Sequence, residues 1–227
     1  MIIKYLDWDS SFFNKKIGLL ELSNDFQYSE IPNDYDLIYV ISKEEIAVAI
    51  PNFKLSYLEN KIVFSKKTVE NRESTDANIF LELTDSHKKE IYALAFESGK
   101  YSRFKLDPNF SPTEFENLYK KWVDKSYAKE FADGVLIYKE QNSILGFVTY
   151  KVWDGYAAIG LIAVCPKHQG KGIGKKLIQS VENELANIGV DELRIPTQLQ
   201  NEKACLFYVK MGYEIIENNI LKHYWKL

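Results

Sequence analysis

At 227 residues the chain has room for one large domain or two small ones, and 46% hydrophobic against 27% charged residues is the balance of a globular protein with a substantial core. Lys and Arg total 29 against 32 Asp and Glu, a formal net charge of −3, so no footprint for duplex nucleic acid is expected. The longest apolar runs, such as "AAIGLIAVCP", fall far short of the roughly 20 residues of a membrane helix, and "MIIKYLDWDSS" lacks a secretory pattern, so a cytoplasmic protein without membrane contact is expected.

The first elements are strands: an edge strand at "IGLLELS", another at "DLIYVIS", then "KLSYLENKIVFSKK", where Leu58-Glu59-Asn60 reads as a turn between two strands. The polar stretch "SKKTVENRESTDAN" (65–78) can build no core and reads as a linker, dividing the chain into residues 1–75 and 76–227. A helix follows in "LTDSHKKEIYALAFESG", with Thr84 or Asp85 as cap, Ile91, Leu94 and Ala95 as its apolar face, and a stop at Gly99. In "SPTEFENLYKKWVDKSYAKEF" (111–131), Ser111, Pro112 and Glu114 form the N-terminal signature of a second helix. Phe115, Leu118, Tyr119, Trp122 and Val123 supply its buried stripe.

Strands "GVLIYKEQ", "ILGFVTYKVW" and "YAAIGLIAVCP" come next, joined by the tight turns "QNS" and "WDG" that make an antiparallel meander. Beyond "HQGKGIGKKL", a helix carries Leu177, Ile178, Val181, Leu185 and Ile188 on one stripe. Strand "DELRIPTQ", helix "NEKACLFYVKMG" and strands "YEIIEN" and "ILKHYWKL" complete the order, the last reading as an edge through which a homodimer could form. "NFKLSYLENKIVFSKK" echoes "GYEIIENNILKHYWK", each reading as a hairpin with Glu-Asn near its turn. Cys165 and Cys205 have no metal-ligand spacing, and His87, His168 and His223 are scattered, so no metal site is expected.

The loop at 168–177 holds three alternate glycines among cationic side chains, which suggests a seat for an anion. A dinucleotide fingerprint starting at Gly170 requires glycine at 175, and so does a Walker loop; that residue is Lys175. What remains is Gln169-Gly170-Lys171-Gly172-Ile173-Gly174, a Q-x-x-G-x-G element between a strand and a helix. Glycines there let successive amides face one concavity, to which the helix adds its unpaired N–H groups and dipole. The same residues would equally make a plain glycine turn with solvated lysines, so both readings stay open on the residues alone.

"GLIAVCPKHQGKGIGKKLIQ" resembles the acetyl-coenzyme A site of the GCN5-related N-acetyltransferases (GNAT), and the element order from about residue 79 to 227 follows that family. The resemblance implies an α/β (α+β) GNAT fold: a mixed, mostly antiparallel sheet splayed at the cofactor site, with flanking helices, preceded here by a truncated GNAT-like half. It also implies acetyl-CoA as co-substrate, with its pantetheine arm on the backbone of Ile162, Ala163 and Val164 and its pyrophosphate on Gln169, Gly170, Lys171, Gly172, Ile173, Gly174 and Lys175. Asn201 and Phe207 are implied as further cofactor contacts. Tyr208 stands where the family keeps the acid that protonates the departing thiolate, although its helical spacing also suits a core aromatic. Amides near Ile162 would polarise the thioester carbonyl. No general base is evident; Glu97 and Asp107 are the carboxylates weighed for it.

"YSRFKLDPNFSPTEFENLYKKWVDKSY" and "RIPTQLQNEKACLFYVKMGY" are similar to a subgroup acting on dTDP-4-amino-4,6-dideoxygalactose, the dTDP-fucosamine acetyltransferases. That resemblance implies a small-molecule acceptor held by Ser102, Arg103 and Phe104, with Arg194 and Gln198 as weaker contacts. A peptide or small-amine acetyltransferase and a non-catalytic acyl-CoA-binding module are the alternatives on the same fold.

Overall fold

The computed structural model describes residues 3–22, 34–68, 78–80 and 87–227. Ten described strands form one sheet in the order β1-β2-β3-β10-β4-β9-β8-β7-β6-β5. They are β1 (Lys4–Tyr5), β2 (Ile17–Leu22), β3 (Leu37–Ser42), β4 (Phe53–Lys67), β5 (Ile79–Phe80), β6 (Gly134–Glu140), β7 (Ser143–Trp153), β8 (Tyr156–Val164), β9 (Glu192–Gln198) and β10 (Glu214–Lys226). Only β2–β3 and β8–β9 pair in parallel, so the sheet is mixed and mostly antiparallel, as the resemblance implies.

The helices are α1 (Asp7–Phe13), α2 (Lys88–Ser98), the short α3 (Arg103–Leu106), α4 (Pro112–Tyr127), α5 (Ile173–Asn187) and α6 (Glu202–Lys210). Strand alternation feeds two cores on opposite faces. Phe147, Leu161 and Ala163 pack with Ile91, Leu94, Phe115 and Leu118 of α2 and α4. Val148 and Ile159, with Ile62 and Phe64 of β4, pack with Leu177, Ile178, Val181 and Leu185 of α5. The capping box is present at α4: Glu114 N donates to Ser111 Oγ at 3.2 Å and Ser111 N donates to Glu114 Oε2 at 2.7 Å. Thr84 and Asp85 lie outside the described residues, as does most of the expected linker.

Three expectations about strands are corrected. Leu58-Glu59-Asn60 is no turn: β4 runs unbroken through it, because Leu58, Glu59 and Asn60 pair with Lys222, Leu221 and Ile220 of β10. "YEIIEN" and "ILKHYWKL" are likewise one strand, with register shifts between Ile215/Glu217 and His223/Tyr224 in place of a hairpin turn. The two echoing segments are therefore long neighbouring strands paired with each other. Finally, "ILKHYWKL" is not an edge, since Ile220–Trp225 of β10 pair with β3 on one side and with β4 on the other. The first expected strand, β2, is also one place in from the edge, behind the two-residue β1.

A buried carboxylate ties the early and late parts of the sheet together. Asp107, fully buried after α3, accepts from His223 Nδ1 at 2.6 Å, Trp225 Nε1 at 2.8 Å, Ser56 Oγ at 2.8 Å and Asn109 N at 3.1 Å. Burial alone raises a carboxyl pKa, but these donors outweigh it and hold Asp107 below the usual range.

Candidate active site

The parallel ladder between β8 and β9 covers only Ala157↔Leu193 and Ala158↔Arg194, after which the strands part. A bulge at the parting point sets β8's course: Val148 pairs with Ile162 and Tyr150 with Ile159, so Thr149 alone faces Gly160 and Leu161. Leu161 N donates to Thr149 Oγ1 at 2.9 Å. A Cβ on Gly160 would stand 2.8 Å from that same oxygen, so glycine is required here. Cys165 N donates to Leu145 O at 2.7 Å, again on the β7 side. With Leu161 and Cys165 facing β7, alternation turns the backbone groups of Ile162 and Val164 toward the opening beside β9. Gln169 Nε2 already donates to Val164 O there at 3.1 Å.

After β8 a single 3₁₀ turn, Pro166–His168, leads into the glycine loop. Gly170 and Gly172 adopt φ of 79° and 84°, left-handed conformations that L side chains resist, and Gly172 is the N-cap residue of α5. No side chain caps that helix, so its first amides stay available to a ligand. Gly174 lies under Phe207, whose Cζ would be 3.4 Å from an added Cβ.

These parts wall a cleft of about 920 Å³. Of the expected cofactor residues, Ile162, Ala163, Val164, Gln169, Gly170, Gly172, Ile173, Gly174, Lys175, Asn201 and Phe207 line it, whereas Lys171 does not. Asn201 holds the N-cap position of α6 without a capping side-chain bond, which leaves its amide to the cleft. The aligned loop amides, the unpaired strand edge and the cationic Lys175 fit an extended, anionic thioester donor.

A second cavity of about 460 Å³ adjoins the first, and Ser98, Ile162, Asn201 and Tyr208 line both. Tyr208 therefore stands at the junction. It is 5% exposed, its ring lies 5.4 Å from those of Phe64 and Phe207, and burial pushes its hydroxyl pKa well above the ordinary value. It is at once a packed aromatic and a wall of both cavities, so its packing does not withdraw it from the site.

The second cavity collects residues from distant parts of the chain. Ser102, Arg103, Phe104 and Gln198 line it as expected. Arg194 does not: its guanidinium pairs with Glu192 at 2.7 Å and stacks 3.9 Å above the Tyr156 ring. Phe104 is 6% exposed and stacks on Phe13 at 5.5 Å, while Arg103 lies 4.1 Å over the Tyr39 ring. Asp9, Tyr39, Glu59 and Lys61 also line this cavity and escaped sequence reasoning. Tyr57, Glu59 and Lys61 stand at alternate positions on one strand face, a signal hidden by reading a turn at 58–60. Burial raises the carboxyl pKa values of Asp9 and Glu59, against the opposing charge of Arg103.

The two carboxylates weighed as bases are engaged elsewhere. Asp107 spends itself on five donors, Asn109 Nδ2 at 3.0 Å being the fifth, and lines neither cavity. Glu97 lines the larger cleft but pairs with Lys100 at 2.5 Å and accepts from Gln169 at 3.4 Å. No group of three or more metal-ligating side chains occurs among the described residues, and no described helix is long and apolar enough to cross a membrane.

The chain is similar to known proteins. Streptothricin acetyltransferase A of Bacillus subtilis is 30% identical over 122 residues, 53% of this chain and 69% of that protein. The dTDP-fucosamine acetyltransferase of Escherichia coli O6:H1 is 24% identical over 225 residues, 94% of this chain and 93% of its own. In fold, the structure of the N-acetyltransferase PaiA of Thermoplasma acidophilum in complex with coenzyme A superposes with a TM-score of 0.50 at 20% identity, covering 66% of this chain and 98% of that one. The acetyltransferase (GNAT) family matches residues 89–213, which hold the splayed strand, the glycine loop and Tyr208. The chain thus belongs to the acetyltransferase (GNAT) family and is an acyltransferase whose co-substrate is acetyl-CoA.

Proposed function

We propose that the protein acetylates the amine of a nucleotide-linked amino-deoxy sugar by direct transfer from acetyl-CoA. The observation that carries this reading is the origin of the second cavity's walls. Asp9, Tyr39, Glu59 and Lys61 come from the first 75 residues, outside the matched family segment. The similarity to the dTDP-fucosamine acetyltransferase takes in that region, covering 94% of the chain, whereas the similarity to streptothricin acetyltransferase A covers 53%. A relative sharing the acceptor-side segment is the better guide to the acceptor.

The residues then divide the work. Loop amides at Gly170–Lys175 and the N-terminus of α5 hold the donor's pyrophosphate, and the Ile162 and Val164 backbone groups hold its arm. An amide near Ile162 stabilises charge on the thioester oxygen. Tyr208, protonated at neutral pH, donates to the departing sulfur. Arg103, braced on Tyr39, and Lys61 receive the acceptor's phosphates, with Ser102, Phe104 and Gln198 around the base and sugar.

A small-amine acceptor is the second reading, favoured by the Asp9 and Glu59 carboxylates in the same cavity. Thiol release from acetyl-CoA, followed with dTDP-4-amino-4,6-dideoxygalactose, polyamines and peptides, tests both. Turnover with the nucleotide sugar is expected. Turnover only with polyamines or peptides overturns the sugar reading, and tight acetyl-CoA binding without turnover would mark a non-catalytic binder.

A further inference from the structure

Acetyl transfer consumes a neutral amine, whereas an aliphatic amine with a pKa near that of lysine, about 10.4, arrives as an ammonium at pH 7. A group must therefore take a proton before nitrogen can attack. We propose that Glu59 receives this proton, directly or through one water, an inference that rests on the acceptor being an amine.

Glu59 is 2% exposed yet lines the cavity shared with Ile162, Asn201 and Tyr208. It thus faces the second cavity, whose walls include residues of the larger cleft. Its one hydrogen bond among the described residues comes from the Tyr57 hydroxyl at 2.9 Å and engages Oε2. That bond orients the carboxylate without exhausting it, unlike the five donors on Asp107 or the lysine on Glu97. Asp9, the other carboxylate on this cavity, is less buried and stands on α1.

The charged groups facing Glu59 are Arg103 from α3 and Lys61 from β4 itself, with Asp9 across the cavity. Tyr57, Tyr39 and Tyr119 face it as un-ionised phenols, and β10 contributes Leu221 opposite it. Burial raises the Glu59 carboxyl above the ordinary range, while Arg103 and the Tyr57 bond act against that rise. The result is a stronger base than an exposed glutamate that still ionises to work.

An N–H bond of the ammonium breaks, its pair stays on nitrogen, and the proton bonds to a Glu59 oxygen. The nitrogen pair forms the C–N bond to the acetyl carbon, and the C–S bond breaks with its pair on sulfur. Sulfur takes the Tyr208 proton; Tyr208 regains one, through solvent, from the second proton that nitrogen sheds. Glu59 releases its own proton to water.

Glu59→Gln keeps the side chain's shape and an acceptor for Tyr57, so it is the test variant, assayed with whichever amine of the panel wild type acetylates. Its kcat/KM is expected to fall about 100-fold or more at neutral pH, the range of general base catalysis. It should lose the limb on which wild-type activity rises with Glu59 ionisation and climb with pH toward the pKa of the amine, as solvent alone deprotonates the acceptor. Acetyl-CoA affinity and thermal midpoint stay at wild-type values. A pH profile for E59Q of wild-type shape, at any rate, overturns the assignment while leaving the acceptor reading standing. Wild type that acetylates no amine overturns both. Where E59Q folds poorly, Tyr57→Phe carries the test: loss of its bond raises the Glu59 pKa and must move the limb to higher pH, and an unmoved limb overturns the proposal.

Discussion

The amide of Leu161 donates to the hydroxyl of Thr149, 2.9 Å away, where a backbone carbonyl would take it in a regular ladder. This bond closes the bulge that swings β8 from β9 and opens the cleft. Thr149→Val keeps the branched shape but leaves a buried N–H unpaired, which costs about 1–3 kcal/mol. Denaturant unfolding should report that loss, and calorimetric titration should find weaker acetyl-CoA binding. Undiminished stability and affinity would mean the bulge holds itself.

Tyr208→Phe preserves the packing on Phe64 and Phe207 and removes only the hydroxyl. Turnover is expected to fall at least about tenfold, and about 100-fold or more where the full contribution of a general acid is lost, with acetyl-CoA affinity retained. Equal turnover in the two proteins would take the acid role from Tyr208.

Gly172 holds φ at 84° with open space where a Cβ would go. Gly172→Ala therefore meets backbone strain and no collision, about 1–2 kcal/mol in the left-handed region. Relaxation of that strain turns the loop amides, so acetyl-CoA affinity should drop by more than stability does. Isothermal titration and thermal melts on the same preparation separate the two effects.

His223 is fully buried, and burial, partly opposed by Asp107, pushes its pKa down to about 4. The unfolded chain protonates this imidazole near pH 6.5. Between those values the unfolded state binds the additional proton, so stability from this group is present above pH 6.5 and is lost as pH falls toward 4. The loss reaches at most about 1.4 kcal/mol per pH unit. Denaturant midpoints across this window should therefore decline in wild type and decline less in His223→Gln.

Local signals and distant pairing account for what the sequence made legible. Ser111 and Glu114 announced their helix because a capping box closes within four residues. The stripe of α5 and the glycine spacing were also readable, being set by neighbours in the chain. Leu58-Glu59-Asn60 misled because its turn-like composition is overruled by Lys222, Leu221 and Ile220 across the sheet. The second cavity gathers Asp9, Tyr39, Glu59, Arg103 and Gln198 from five separate elements, and no short window contains that juxtaposition.

Because β10 lies between β3 and β4, those two early strands cannot join each other; their seam is the last to be synthesised. The early strands must wait with unpaired edges until residues 214–226 emerge, which exposes the nascent chain to aggregation and gives chaperones a reason to engage it. Tyr39, Ile41, Glu59 and Lys61 of the second cavity stand on those waiting strands, so a ribosome stalled just past Tyr208 would carry the glycine loop complete while these four residues still lacked the strand that joins them.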